Sequence, residues 1–200
     1  MQRFGILAAL AALALPAYAG TTWEIDPAHT DVQFAIRHMM ISTVRGEFGK
    51  VSGTVAADDQ DLTRSKVTAS IDAATVNTRE AKRDEHLRSA DFLDVTKFPT
   101  ITFASKKVER AGEGRWKLTG DLTLHGVTRE VTLDVESPPT TVKDLMGNTR
   151  AGAHATAKIN RKDFGIVWNK SLDGGGIALG DEVEISIDVE GVKKAAPAGG

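Results

Sequence analysis

The chain has 200 residues, a formal net charge of −2 and no cysteine. The missing cysteine excludes disulfides, thiolate-ligated metals and thiol chemistry. Without a basic excess, nucleic acid is not expected as a partner, and the length fits one domain behind a short leader.

Arg3 precedes an apolar run from Phe4 to Leu15, followed by Pro16-Ala17-Tyr18-Ala19. A basic start, a short apolar core and a small-x-small ending describe a secretory signal peptide. The run falls short of the roughly 20 apolar residues that a membrane span needs. Cleavage is expected after Ala19, giving a leader over 1–19, an exported mature protein and no integral membrane segment in it. Loss of Arg3 makes the mature chain one unit more negative.

From residue 20 onward the dominant period is two, the mark of strands with one wet and one dry face. "TDVQFAIRH" puts Val32, Phe34 and Ile36 on one face; "SKVTASID" aligns Val67, Ala69 and Ile71; "TITFASKKVE" aligns Ile101 and Phe103. Further on, Trp116, Leu118, Leu122 and Leu124 share a face, with Gly120 between them. Val131, Leu133 and Val135 follow, then a row of alanines at 151, 153, 155 and 157 leading to Ile159, then Val183, Ile185, Ile187 and Val189. "RAGEGR" and "LHGVT" read as tight hairpins, and the prolines of "SPPTT" keep that segment out of a central strand. About eight antiparallel strands with short connections predict an all-β closed barrel or sandwich. The domain is expected over 20–192, with a frayed tail over 193–200.

Two stretches break the pattern. Residues 79 to about 90 lack Gly and Pro and predict a helix, with Thr78 as N-cap and Asp84–Arg88 as an exposed (i, i+4) pair. Leu87, Ala90, Phe92 and Leu93 would pack this segment over one end of the sheet. "NRKDFG" predicts a single turn. "DGGGIALGD" lacks the following helix that a phosphate cradle requires and reads as a turn.

None of the five histidines stands at the i, i+2 or i, i+4 spacing that places two imidazoles on one metal, so no metal is expected. His86 neighbours Asp84 and Glu85 in sequence, but on a helix both point away from it. There is no Gly-x-Ser-x-Gly nucleophile motif. The alanine row leaves two alternatives: a thin wall beside a roomy apolar chamber, or a lumen filled from the opposite side by Trp116 or Trp168.

Taken together, "HTDVQFAIRHMMISTVRGEFGKVSGTV", "RDEHLRSADFLDVTKFPTITFAS", "GDLTLHGVTREVTL", "INRKDFGIVWN" and "LGDEVEISIDVEG", in this order, resemble the YceI-like family of polyisoprenoid-binding periplasmic proteins. The resemblance covers nearly all of residues 22 to 192. It implies an elongated, lipocalin-like antiparallel barrel of about eight strands, with the short helix beside its mouth. It also implies a long amphiphilic ligand (a polyisoprenoid, an isoprenoid quinone or a fatty amide), a homodimer, no cofactor and no catalytic residues.

On this reading the ligand tail would meet Phe34, Ile36, Phe48, Ile101, Phe103, Ala153, Ala155 and Trp168. The headgroup candidates at the mouth are Arg37, His38, Arg45, Arg83 and His86. Two other classes compete with a carrier. One is an enzyme acting on a lipid-like or isoprenoid substrate through His38 or His86. The other is a stress-related interaction protein whose barrel is filled.

Overall fold

The computed structural model describes residues 20–138 and 140–195. The signal-peptide expectation over 1–19 therefore lies outside the described residues, as do the last five residues of the tail. Twelve strands are formed among the described residues. They are β1 (Gly20–Ile25), β2 (Asp31–His38), β3 (Ser42–Phe48), β4 (Val51–Asp58), β5 (Lys66–Asp72) and β6 (Val76–Asn77), then β7 (Thr100–Gly112), β8 (Arg115–Leu124), β9 (Val127–Glu136), β10 (Val142–Lys143), β11 (Thr149–Asn160) and β12 (Leu179–Lys193). The one α-helix among the described residues, α1, spans Ala81–Arg88.

Eight of these strands close into an antiparallel barrel. The order runs β11-β9-β8-β7-β5-β4-β1-β12, and β12 pairs back onto β11. Closure rests on the length of β12. One edge carries β11 from Arg150↔Val192 to Asn160↔Glu182. The other edge is shared: β2 covers its first half, up to Ile187↔Val32 and Asp188↔Asp31, and β1 its second, from Ile25↔Gly191 to Trp23↔Lys193. Between β1 and β2 the chain makes a 3-10 turn, Pro27–His29, capped by the Asp26 carboxylate on the Ala28 amide. Lys193 still belongs to β12, and Lys194 pairs with Glu24.

The hairpins follow their sequences. His125 and Gly126, the two residues between β8 and β9, have φ of 52° and 72°, the double left-handed geometry that matches the twist of a two-residue hairpin. On the outer face threonine pairs face each other across strands, Thr54 with Thr68 and Thr119 with Thr132, adding cross-strand hydrogen bonds where solvent wets the sheet.

At one end, β2, β3 and β6 extend beyond the ring, and α1 with the turns that follow it packs against them. Here lies the densest core: Ala73, Val76, Phe92, Leu93, Phe164 and Ile166 are all buried. The helix brings few apolar residues of its own, so the plug is built chiefly by Phe92 and Leu93 in the turn after it.

Three details of this segment differ from expectation. Glu80, not Thr78, caps α1, its carboxylate accepting from the amides of Lys82 and Arg83. Asp84 is buried and does not pair with Arg88. It accepts from the amide of Thr78 at 2.8 Å and from its hydroxyl at 2.5 Å. Arg88 instead donates to the carbonyls of Ala74 and Val76. The reason is geometric: the chain turns back at residues 72–78, which brings the Thr78 donors to Asp84 on one side of the helix and the carbonyls of Ala74 and Val76 to Arg88 on the other.

Candidate functional site

The inward faces of the strands enclose a cavity of about 730 Å³, within the range of binding sites for organic ligands. The alternation that makes each strand makes this wall. Along β12, Val183, Ile185, Ile187 and Val189 all line it. Beside them on β11 stand Ile159, Ala155, Ala153 and Ala151, with Ala155 opposite Ile187 and Ala153 opposite Val189. The branched side chains of one strand thus sit beside a row of methyl groups on the next, and the lumen gains its width on the β11 side. Ala157, opposite Ile185, is the member of the row that does not line the cavity.

Trp116 and Trp168 border the cavity without filling it. Nor do the phenylalanines. Phe34 is the cross-strand partner of Gly46, and a Cβ at Gly46 would stand 2.7 Å from Cε1 of its ring. A Cβ at Gly120 would stand 2.6 Å from Cζ of Phe103. Both rings lie down against the wall over a glycine on a neighbouring strand, a close approach that a side chain would forbid. Gly120 is buried in consequence, so it seats an aromatic ring and does not simply thin the wall.

Among the residues expected to meet a ligand tail, the structure brings Phe34, Ile36, Phe48, Ile101, Phe103, Ala153, Ala155 and Trp168 to this one cavity. Of the headgroup candidates, His38, Arg83 and His86 line it at the helix end. Arg37 and Arg45 do not. They sit at the opposite phase of β2 and β3 and are exposed on the outer face, where Arg37 donates to Thr43 and to the Met40 carbonyl. A one-residue step along a strand reverses the face, and that step separates Arg37 from His38. At the far end of the barrel, Ser65 and Ser137 reach the lumen among Trp23, Leu62 and Trp116.

Arg83 and His86, at the helix end, are each held by neighbouring residues. Arg83 donates through Nε to the Thr78 hydroxyl and through Nη2 to its carbonyl. His86 Nε2 lies 2.8 Å from Asp91 Oδ2, and its ring makes edge contacts with Phe92 and Trp168 at about 5 Å. The partner of His86 is thus neither of its sequence neighbours Asp84 and Glu85. Its carboxylate comes from beyond the helix end, where Ser89 caps the last turn and the chain folds back.

Arg161 has the largest structural role that the sequence reading missed. Its side chain is almost wholly buried and donates to the carbonyls of Ile166, Trp168 and Gly180. It therefore ties the 3-10 turn Arg161–Phe164 to the segment carrying Trp168 and to the start of β12. The only sequence signal was an arginine inside "INRKDFG", where a surface position is the usual reading.

Asp26, His29 and Glu190 bring ligand-type atoms within 4.8 Å of one another. The guanidinium of Arg150 supplies the positive charge there. It donates to Asp26 at 2.6 Å, to Glu190 at 3.1 Å and to Asp144 at 2.8 Å. Hydrogen bonds from Arg150 hold the carboxyls of Asp26 and Asp144 well below the usual carboxylate range. The cluster is a clamp joining the β1–β2 turn, the β10–β11 loop and β12.

Residues 23–191 match the model of the YceI-like domain. The UPF0312 protein SAS2572 of Staphylococcus aureus is 36% identical over 170 residues, covering 85% of this chain and 96% of that protein. Among solved structures, the YCEI protein of Campylobacter jejuni superposes with a TM-score of 0.67 at 28% identity, covering 98% of this chain and all of that one. BcnA of Burkholderia cenocepacia gives a TM-score of 0.72 at 22% identity over 83% of this chain and 98% of that one. A polyisoprenoid binding domain from Saccharophagus degradans gives 0.63 at 14% identity over 86% of this chain and 98% of that one. At those last two identities the likeness speaks for the fold alone.

Proposed function

The chain belongs to the YceI-like family, and on that premise we propose that its barrel is a carrier for a long-chain amphiphile such as a polyisoprenoid, an isoprenoid quinone or a fatty amide. The observation that carries this reading is the 730 Å³ cavity with an aliphatic and aromatic wall running between the two ends of the barrel. Such a wall offers a chain little but burial, worth about 0.8 kcal/mol per methylene. Ten buried methylenes thus contribute about 8 kcal/mol, the scale of a micromolar complex before the entropy of association is subtracted. The tail would run past Phe34, Phe103 and the alanines of β11, and His38, Arg83 and His86 would meet the polar head.

The same reading extends to export and assembly. Removal of residues 1–19 would leave β1 whole, since its pairing starts at Gly20↔Asp58, and the protein would act in the periplasm as a homodimer. Mass spectrometry of organic extracts from natively purified protein tests the ligand. A long-chain amphiphile in stoichiometric amount is expected, and extracts free of any such molecule, with no uptake of added polyisoprenol, would refute the carrier. N-terminal sequencing of exported protein tests the cleavage, and sedimentation tests the dimer.

A second reading, an enzyme acting on a lipid-like substrate, rests on the His86–Asp91 pair at the cavity wall. His86→Ala separates the two. Abolished turnover with affinity retained would favour chemistry, whereas a modest change in affinity favours the carrier.

A further inference from the structure

At the helix end the cavity wall and the outer surface are made by alternate or consecutive residues of the same segments. His38 lines the cavity, and the next three residues turn outward: Met39, Met40 and Ile41 are 41%, 60% and 81% exposed. Ile166 and Trp168 line the cavity, and Val167 between them is 64% exposed. Leu179 lines it, and Ile177, two residues earlier, is exposed.

These segments lie side by side. The Met39 amide donates to the Ala178 carbonyl, Asn169 brackets Leu179 with two hydrogen bonds, and the Ala178 amide donates to the Lys170 carbonyl. Five large apolar side chains therefore form one exposed patch at the rim of the lumen. The turn that carries three of them is braced from outside, where Arg37 donates to the Met40 carbonyl. Residues 37–45 and 166–180 contain Arg37, Arg45 and Lys170 against a single carboxylate, Asp173, in a chain that is acidic overall.

We propose that this patch is a docking lip for the surface of an anionic phospholipid bilayer, through which the carrier loads and releases its ligand. The proposal rests on the carrier reading above. Exposed apolar patches of this kind mark interaction sites, and apolar side chains flanked by cations are the device by which proteins lie on anionic membranes. A ligand that is poorly soluble in water dwells in a membrane, and an apolar rim in contact with acyl chains removes the aqueous gap between the two. A second copy of the chain fits the patch less well. An isologous contact sets the same patch against itself, so the cations Arg37, Arg45 and Lys170 would be brought against a patch with the same positive excess.

The test uses vesicles of phosphatidylcholine with or without phosphatidylglycerol. It compares wild type with Met40→Asp/Ile41→Asp in the form the cell delivers, its N-terminus read by mass spectrometry. The wild type should float with the anionic vesicles and be partly released as salt is raised. The double variant should lose at least about tenfold in partitioning while its melting temperature stays unchanged, because both positions are exposed. Arg45→Glu/Lys170→Glu should weaken binding to anionic vesicles alone.

Wild-type protein that ignores both kinds of vesicle, or a double variant that partitions like wild type, overturns the lip. So does a double variant that splits a dimer on sedimentation, because a second copy would then be what covers the patch. Uptake of polyisoprenol from detergent, where no bilayer is involved, should be retained by the variant. Failure of the wild type in that assay counts against the carrier reading itself, separately from the vesicle result.

Discussion

The ring of Phe34 lies over the backbone of Gly46, its cross-strand partner, so closely that no side chain fits at residue 46. Phe103 repeats the arrangement over Gly120. Both rings are thereby laid along the wall, and the space they would otherwise occupy belongs to the cavity. The width of the lumen is thus set by two glycines on its wall as well as by the alanines of β11.

Gly46→Ala should lift the Phe34 ring into the lumen. Extra volume in a packed site usually costs about 1–3 kcal/mol; the ring has open space to enter, but the new methyl would also stand 2.7 Å from Cγ2 of the buried Thr78, so a stability loss within that range is expected. Affinity for a long-chain ligand should drop by about tenfold. Gly46→Ala/Phe34→Leu should recover most of it, because the shorter side chain vacates the lumen. Titration with a fluorescent isoprenoid measures all three proteins.

Ala155→Trp tests the opposite wall. Ala155 is buried beside Ile187 and lines the cavity, so the indole is expected to enter the lumen. Binding should weaken sharply while the barrel still melts cooperatively. An unfolded variant would mean that the methyl row is packed against neighbours.

Asp84→Ala should be far more harmful than Glu85→Ala, one residue away. Asp84 is buried and accepts two hydrogen bonds from Thr78, and the Thr78 hydroxyl also accepts from Arg83. Its removal takes the acceptor from two buried donors, the Thr78 amide and hydroxyl, and an unsatisfied buried donor costs about 1–3 kcal/mol. Glu85 is exposed, and its loss should stay within about 0.5 kcal/mol. Urea melts of the two variants provide the comparison.

Phe92→Ala should cost about 3–5 kcal/mol, since Phe92 is buried in the end core between His86 and Trp168. His86→Ala removes a half-exposed ring from the same cluster and should change both stability and ligand affinity modestly. Thermal melts with and without bound lipid rank the two.

Arg150→Gln should shift acid unfolding to higher pH. Arg150 holds the carboxyls of Asp26 and Asp144 below their ordinary range. A carboxyl whose folded pKa lies below its unfolded value of about 3.9 stabilises the fold above that value. The contribution is lost as pH falls through the folded pKa. Without the guanidinium the folded values rise, so the loss comes earlier in an acid titration. Tryptophan fluorescence between neutral pH and pH 2 should show a higher midpoint for the variant.

The strand alternation was legible because it is local: with one face wet and one dry, the period of two assigns Phe34, Ile101, Ile187 and the alanines of β11 to one side without knowledge of their neighbours. The helix over the barrel end was legible for the same reason, though not its cap or the partners of Asp84 and Arg88. Those depend on where residues 72–78 turn back, and that is decided by strands far away in sequence. His86 and Asp91 meet only because the chain reverses after Ser89, and Arg161 is buried only because Ile166, Trp168 and Gly180 present carbonyls to it.

The same division runs through the cavity. The sequence by itself determined which side chains face inward, since phase along a strand is a property of the strand. It left open whether the lumen was filled, because that depends on pairing across strands. Phe34 had to meet Gly46, and alanines had to stand beside Ile187 and Val189. Register is a long-range choice made by the closed barrel as a whole, and only the tertiary structure could lay the aromatic rings flat and leave room beside them.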